Sequence, residues 1–293
     1  MKKKIAILGC ENSHANNFLD YINANTEYKE SLEIVGVYSN DPEAAKALSE
    51  KYGVKVLESY SDAVGLVDGV IITARHGKYH YEYAKPYIES GIPMFIDKPI
   101  TVDENEAVEF MRALKNAGVR ITGGSSLKHD KVVSQLKKDR LALEGGKTLG
   151  GVVRAPVSMV NNYGGFYFYS PHLVESVLEI FGRYPLAVSV QKCENGMTVN
   201  FRYESFNVTG YFIEQNYVYY ACRFSEKTTV GGELVSTHEH NWFELEFDEF
   251  YDVLMGGEQK MSYSEFISSV FVLCAIERAA FSGKEEVVNK YEV

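Results

Sequence analysis

Through roughly the first 120 residues, short apolar runs alternate with stretches whose apolar positions recur at helical spacing. That alternation is the pattern of βαβ units winding a parallel sheet. Runs at residues 5–8, 33–38, 69–73, 94–96 and 119–122 predict strands, and 69–73 is apolar enough for burial on both faces. Between the first two, Phe18, Leu19 and Ile22 fall on one face of a helix predicted over 13–25. Asp41-Pro42-Glu43 starts the next helix, with a capping acid, a proline at the first helical position and an acidic first turn. Further helices are expected over 78–90 and 103–117. From about Gly150 the pattern changes to apolar–polar alternation, at 198–203, 207–212 and 218–224, which predicts an antiparallel sheet. Helices are expected there only at 171–181 and 262–281. The turn residues Gly123-Gly124-Ser125-Ser126 follow the last parallel strand. The expected division is therefore a doubly wound α/β domain over 1–123 and an α+β domain with an open antiparallel sheet over 124–293.

Charge narrows the partners. Thirty Lys and Arg stand against 40 Asp and Glu, and the only basic cluster is Lys2-Lys3-Lys4, which argues against nucleic acid or an anionic membrane. No apolar run is long enough to span a bilayer. Cys10, Cys193, Cys222 and Cys274 lie far apart, without metal-ligand or disulfide-framework spacing, so no metal site and a reducing cytoplasm are expected. The 21 Tyr and 16 Phe favour sheet and aromatic packing.

The loop after the first strand is Gly9-Cys10-Glu11-Asn12-Ser13-His14. A dinucleotide fingerprint places glycines at its first, third and sixth positions, for a tight turn, close approach of pyrophosphate and helix–strand packing. Only Gly9 is in place, and Glu11 and His14 occupy the other two positions. The strand–loop–helix context nevertheless makes the first domain Rossmann-type. Glu11 is expected to crowd and repel a pyrophosphate unless its side chain turns away. Asn12 and Ser13 can offer donors at the helix N-terminus, or Ser13 can simply cap the helix. After the second strand, where a ribose-binding acid usually falls, the chain has Ser39-Asn40 and no nearby Arg. The choice between NAD and NADP is thus open, and Asp41 reads as a helix cap.

Further motifs extend the picture. Ile72-Thr73-Ala74-Arg75-His76 with His80 resembles an Ala-Thr-Pro-Asn-x-x-His segment, and Asp97-Lys98-Pro99 a Glu-Lys-Pro motif at a strand end. Gly164-Gly165, His172 and Gly182 keep the spacing of a Gly-Gly…Asp-x-x-x-His…Gly stretch, and the segment Ala279-Ala280-Phe281-Ser282-Gly283-Lys284 fits a closing helix. Together they resemble the glucose–fructose oxidoreductase, inositol dehydrogenase and MocA family over essentially the whole chain. The resemblance implies an NAD(P)-dependent oxidoreductase that transfers hydride to or from a sugar, polyol or related hydroxyl compound. It also implies a homo-oligomer formed through the C-terminal sheet. NAD or NADP is then expected across Gly9, Asn12, Ser13, His14, Ser39, Asn40, Thr73, His76, Asp97 and Lys98.

The resemblance places Lys98 against the substrate hydroxyl and nicotinamide ribose, and His172 as proton acceptor. The residues agree with these roles. Lys98 ends a strand whose carboxyl end opens into the ligand crevice, where burial lowers a lysine's pKa. His172 follows Ser170-Pro171, a cap and first-turn pair, and the helix dipole there keeps an imidazole neutral as a general base requires. The departure is Phe168, where the family pattern has an Asp; Tyr167 or Tyr169 is left to supply a polar group. Glu11 and Phe168 support an alternative, a catalytically impaired dinucleotide- or ligand-binding protein that keeps the fold. A partner that merely dimerises through its sheet is a third reading. Lys128, Asp130 and Glu144 read as surface residues, Lys128 also as a basic group near the substrate. His238 and His240 share one face of a predicted strand without a usable third metal ligand.

Overall fold

Two sheets organise the chain, and the computed structural model describes residues 1–293. The first is built from β1 (Lys3–Leu8), α1 (Ser13–Ala24), α2 (Thr26–Ser31), β2 (Leu32–Tyr38), α3 (Pro42–Tyr52), β3 (Gly69–Ile72), α4 (His80–Ala84), β4 (Met94–Asp97), α5 (Glu104–Asn116) and β5 (Ile121–Gly124). All pairs are parallel, in the order β2-β1-β3-β4-β5. The order reverses at β1, so a crevice opens between the carboxyl ends of β1 and β3, where ligands bind in such sheets. Asp41 does cap α3, accepting from the N–H groups of Glu43 and Ala44. The single helix expected over 78–90 is instead broken into α4 and two 3₁₀ turns, Gly77–Tyr79 and Lys85–Ser90. Pro86 accounts for the break, since it lacks an N–H and its ring clashes with the preceding turn.

The second half comprises α6 (Lys131–Leu141), β6 (Thr148–Val157), α7 (Ser170–Phe181), β7 (Ala187–Cys193), β8 (Gly196–Arg202), β9 (Asn207–Glu214), β10 (Tyr219–Ser225), β11 (Thr229–Leu234), α8 (Trp242–Leu254), α9 (Tyr263–Ser282) and β12 (Glu286–Val287). Its open seven-stranded sheet runs β11-β10-β6-β9-β8-β7-β12. The sheet is mixed rather than wholly antiparallel, because β6 and β9 pair in parallel. The crossover through α7 and the β7–β8–β9 meander return the chain beside β6 in its own direction. Apolar alternation reports which face is buried, not which way the neighbour runs.

Helices α6 and α8 were not anticipated. Asn241 caps α8, and Phe247, Phe250 and Leu254 on its inner face share a core with Ile5 and Phe95 of the first sheet and Phe18 of α1. Phe18 meets the Phe95 ring edge-on at 5.2 Å and tilts against Phe247 at 5.5 Å. A helix from beyond residue 124 thus covers the first sheet and brings Glu246 beneath the glycine loop. No helix is long and apolar enough to cross a membrane.

Candidate active site

The turn after β1 is held by the ends of its neighbours. Gly9 adopts φ +80°, and its N–H and that of Cys10 both donate to the Tyr38 carbonyl, at 2.8 and 3.0 Å. A Cβ at Gly9 would lie 2.2 Å from the Ala74 nitrogen, so only glycine lets the β1 and β3 ends approach this closely. Thr73, fully buried, donates its hydroxyl to the Gly9 carbonyl at 3.1 Å. Deeper still, the ring of His80 spans the carbonyls of Ala74 and Pro99, at 2.8 and 2.7 Å. It ties the segment after β3 to the one after β4. We expect His80→Leu to cost about 2 kcal/mol by leaving unpaired the buried carbonyl to which the ring N–H donates. A lowered urea midpoint with unchanged slope checks this, and an unchanged midpoint removes His80 as a tie.

Glu11 does turn away. Its carboxylate accepts from Ser39 Oγ at 2.6 Å and from the Arg75 N–H at 3.0 Å, lying along the strand ends. The N–H groups of Glu11 and Asn12 are left without a protein partner beside the N-terminus of α1. Asn12, not Ser13, caps this helix: its Oδ1 accepts from the His14 N–H, and its Nδ2 donates to Asp97 Oδ2 at 2.7 Å. Asn12 is thereby committed inward, and Ser13 alone of the two expected donors stays exposed. Asn40 is also exposed, its Oδ1 accepting from the Tyr38 hydroxyl. His76 accepts from the Lys78 N–H and lies against Gly164 of the second domain.

His14 likewise does not stand in for a glycine facing a cofactor. Its ring is buried under the loop, Nδ1 at 3.4 Å from Asp97 and Nε2 at 3.3 Å from Glu246. Burial acts to lower its pKa, but the two carboxylates outweigh that and hold it above the ordinary value. Burial also raises the pKa of Glu246, against the pull of His14. Asp97, fully buried, accepts from its neighbour's Lys98 N–H at 2.7 Å as well as from Asn12. Of the residues expected at the cofactor, Asn12, Thr73 and Asp97 therefore brace the crevice through inward side chains. Each has side-chain polar atoms engaged within the protein.

Beyond the ends of β4 and β5 lies a cavity of about 200 Å³ lined in part by His14, Lys98, Phe168, Tyr169, His172 and Trp242. Lys98 and His172, widely separated in sequence, thus share one wall. The Lys98 ammonium donates to the Phe168 carbonyl at 3.3 Å and sits 5.0 Å above that residue's ring. The position where an acid was expected is therefore in contact with Lys98, and it offers a π face instead of a carboxylate. Tyr169 lines the cavity, whereas the Tyr167 hydroxyl points away from it and donates to Glu277 of α9.

His172 is buried, with Nδ1 2.7 Å from Ser125 Oγ. Burial first, and then Lys98 and His14, pull its pKa well below the ordinary value, so the ring is neutral near pH 7. Desolvation rather than the helix dipole is the main cause. Ser170 is not the cap: α7 starts at Ser170 itself, and its buried hydroxyl has no partner. Ser125 holds one ring nitrogen and leaves Nε2 unengaged, the orienting task that Phe168 cannot perform. Its backbone N–H also donates to Glu175 Oε2 at 2.7 Å. Read from sequence as a linker residue, Ser125 is buried at the end of β5; its signal was its place at a parallel strand's carboxyl end.

Four other positions differ from expectation. Lys128 turns its ammonium to the Gly123 carbonyl and to Glu249, at 2.6 and 3.1 Å, and lines a separate basin. Asp130 is buried, capping α6 and accepting from the Trp242 indole N–H at 3.1 Å. His238 and His240 lie in a turn before α8 rather than on a strand, and His240 Nε2 is 2.7 Å from the His129 carbonyl.

These features define a protein with an N-terminal Rossmann-type sheet and a second, mixed-sheet domain, with a cavity of polar and aromatic residues beside the switch-point crevice. Residues 3–125 match the GFO_IDH_MocA family, described as an oxidoreductase family with an NAD-binding Rossmann fold. The oxidoreductase YhhX of Escherichia coli, itself uncharacterized, is 28% identical over 126 residues, 39% of this chain and 35% of its own length. The match thus spans about a third of that relative. Over the whole chain the fold is that of solved dehydrogenases. The myo-inositol 2-dehydrogenase of Lactobacillus plantarum superposes with a TM-score of 0.82 at 14% identity, covering 99% of this chain and 100% of the other. The WlbA dehydrogenase of Bordetella pertussis, solved with NADH and UDP-GlcNAcA, gives 0.81 at 16% identity, covering 99% and 100%.

Proposed function

We propose that the protein is an NAD(P)-dependent oxidoreductase that moves hydride between a nicotinamide cofactor and the hydroxyl-bearing carbon of a sugar, polyol or related small molecule. The observation that carries this reading is the convergence of Lys98 and a neutral His172 on one cavity beside the switch-point crevice. The crevice fits a dinucleotide: Gly9 permits the close strand approach, and the Glu11 and Asn12 N–H groups face the start of α1 unpaired. Gly9, Ser13, Ser39 and Lys98 would hold it. The nicotinamide, when bound, supplies the hydride acceptor or donor. Lys98 donates a hydrogen bond to the substrate oxygen and steadies negative charge on it. His172 Nε2 takes the hydroxyl proton in oxidation and returns it in reduction.

The fold of the two dehydrogenases and the family match of the first domain support this reading. Three of the polar groups around the cavity, Lys98, His172 and Ser126, suit a hydroxylated ligand. Four free cysteines are consistent with a cytoplasmic protein. Tyr211, Tyr220, Phe224 and Val230, exposed on the second sheet, support association of copies through that sheet.

A second reading, a binding protein without turnover, is favoured by the contact of Lys98 with Phe168 where an acid was expected. Titration with NADH and NADPH, followed by nicotinamide fluorescence, and a polyol and sugar panel with NAD and NADP separate the two. Binding with turnover is the expected result. Binding with no turnover on the panel favours the second reading, and no binding of any of the four forms overturns both.

A further inference from the structure

We infer that Glu11 is the acidic ligand of the adenosine ribose, supplied from the turn after β1 instead of the end of β2, and that it selects NAD over NADP. This rests on the dinucleotide reading above. In doubly wound sheets the acid that accepts the ribose hydroxyls comes from the end of the second strand. In this chain Ser39 follows β2 directly, and its hydroxyl donates to Glu11 Oε2 at 2.6 Å. The carboxylate missing from that strand end is thus delivered to it from the neighbouring loop. The Arg75 N–H fixes the other oxygen at 3.0 Å, so the group is held from β2 on one side and β3 on the other.

A carboxylate accepts about four hydrogen bonds, and these two contacts leave capacity for two hydroxyls. The two polar side chains that follow Ser39 are each committed in part to local contacts. Asp41 spends Oδ1 on the N–H groups of Glu43 and Ala44, and Asn40 accepts from Tyr38. Arg75 is the one cation adjoining Glu11 in this cluster, and its guanidinium is drawn off to Tyr163, donating to the hydroxyl at 2.8 Å and lying 4.8 Å over the ring. A ribose 2′-hydroxyl therefore meets an acceptor, whereas a 2′-phosphate meets a like charge with no counterion.

The test measures binding without substrate: NADH and NADPH titrated by nicotinamide fluorescence into wild type, Glu11→Gln and Glu11→Gly. Glutamine keeps an oxygen for the Arg75 N–H and an amide that can donate to Ser39 Oγ, so the loop geometry is retained. Wild type should bind NADH at least about tenfold more tightly than NADPH. Glu11→Gln should weaken NADH about tenfold without weakening NADPH, and Glu11→Gly should weaken NADH as well. Matching unfolding midpoints of the three proteins establish that each is folded. An unchanged NADH-to-NADPH ratio in Glu11→Gln overturns the inference while leaving the oxidoreductase reading intact. So does tighter binding of both cofactors by Glu11→Gly, which makes the carboxylate an obstacle. If wild type binds neither nucleotide, both the inference and the reading beneath it fall.

Discussion

Replacing His172 by alanine is expected to lower turnover by about 10²-fold or more on whichever hydroxyl substrate the protein accepts, the scale of a positioned acid–base group. The ring is neutral because it is buried beside the Lys98 ammonium, and Ser125 fixes its orientation. Protonation would disable it as a base, and its pKa is displaced downward, so the acid limb of the oxidation rate should lie well below pH 6.5. Lys98→Ala should cost a similar factor, since no other ammonium lines the cavity. The double variant should lose less than the product of the two, because groups acting on one proton and one oxygen are not additive. Phe168→Asp places a carboxylate where the ring now covers the Lys98 ammonium, and a rise in turnover there would identify the missing part. Full activity in His172→Ala removes the proton-transfer role and leaves the residue as packing.

How much of this site could be read from the chain alone depended on whether the signal was local. The parallel domain was legible because buried strands and amphipathic helices follow fixed periods, and Gly9 because a tight turn needs it. Lys98 and His172 were legible as members of short motifs. The direction of a side chain was not. Asn12, Ser13 and His14 are consecutive, yet one caps, one is exposed and one is driven inward by two carboxylates, Asp97 and Glu246, that lie 83 and 232 positions beyond it. Ser125 was hidden because a serine after two glycines reads as a turn, and its partner arrives from α7. Glu11 looked like an obstacle because its partners, Ser39 and Arg75, meet only once three strands are paired. The parallel β6–β9 pair was likewise set by the crossover rather than by either strand.

Glu175→Gln is expected to stabilise the protein progressively as pH rises from about 5 to 8, by up to about 3 kcal/mol. Glu175 lies one turn beyond His172 on α7, is almost wholly buried, and approaches Gly124 so closely that a Cβ there would meet its Oε2 at 2.6 Å. Burial raises its pKa from 4.5 to about 7, against the opposing pull of the Ser125 N–H, Lys128 and Arg183. An unfolded chain releases this proton near 4.5, so between that pH and about 7 the folded state holds more protons than the unfolded one. Its contribution to stability is therefore complete below 4.5 and is lost as pH rises through about 7. Glutamine keeps an oxygen for the Ser125 N–H and has no proton to lose, so it escapes that loss. His172 and His129, both held neutral by burial, act in the opposite sense, losing stability in acid, but they are present in both proteins. They largely cancel in the difference. Urea unfolding of the pair at pH 5 and pH 8 reads it directly. A difference that stays constant across that range would mean that Glu175 is ionised throughout, and that the Ser125 N–H and the nearby cations outweigh its burial.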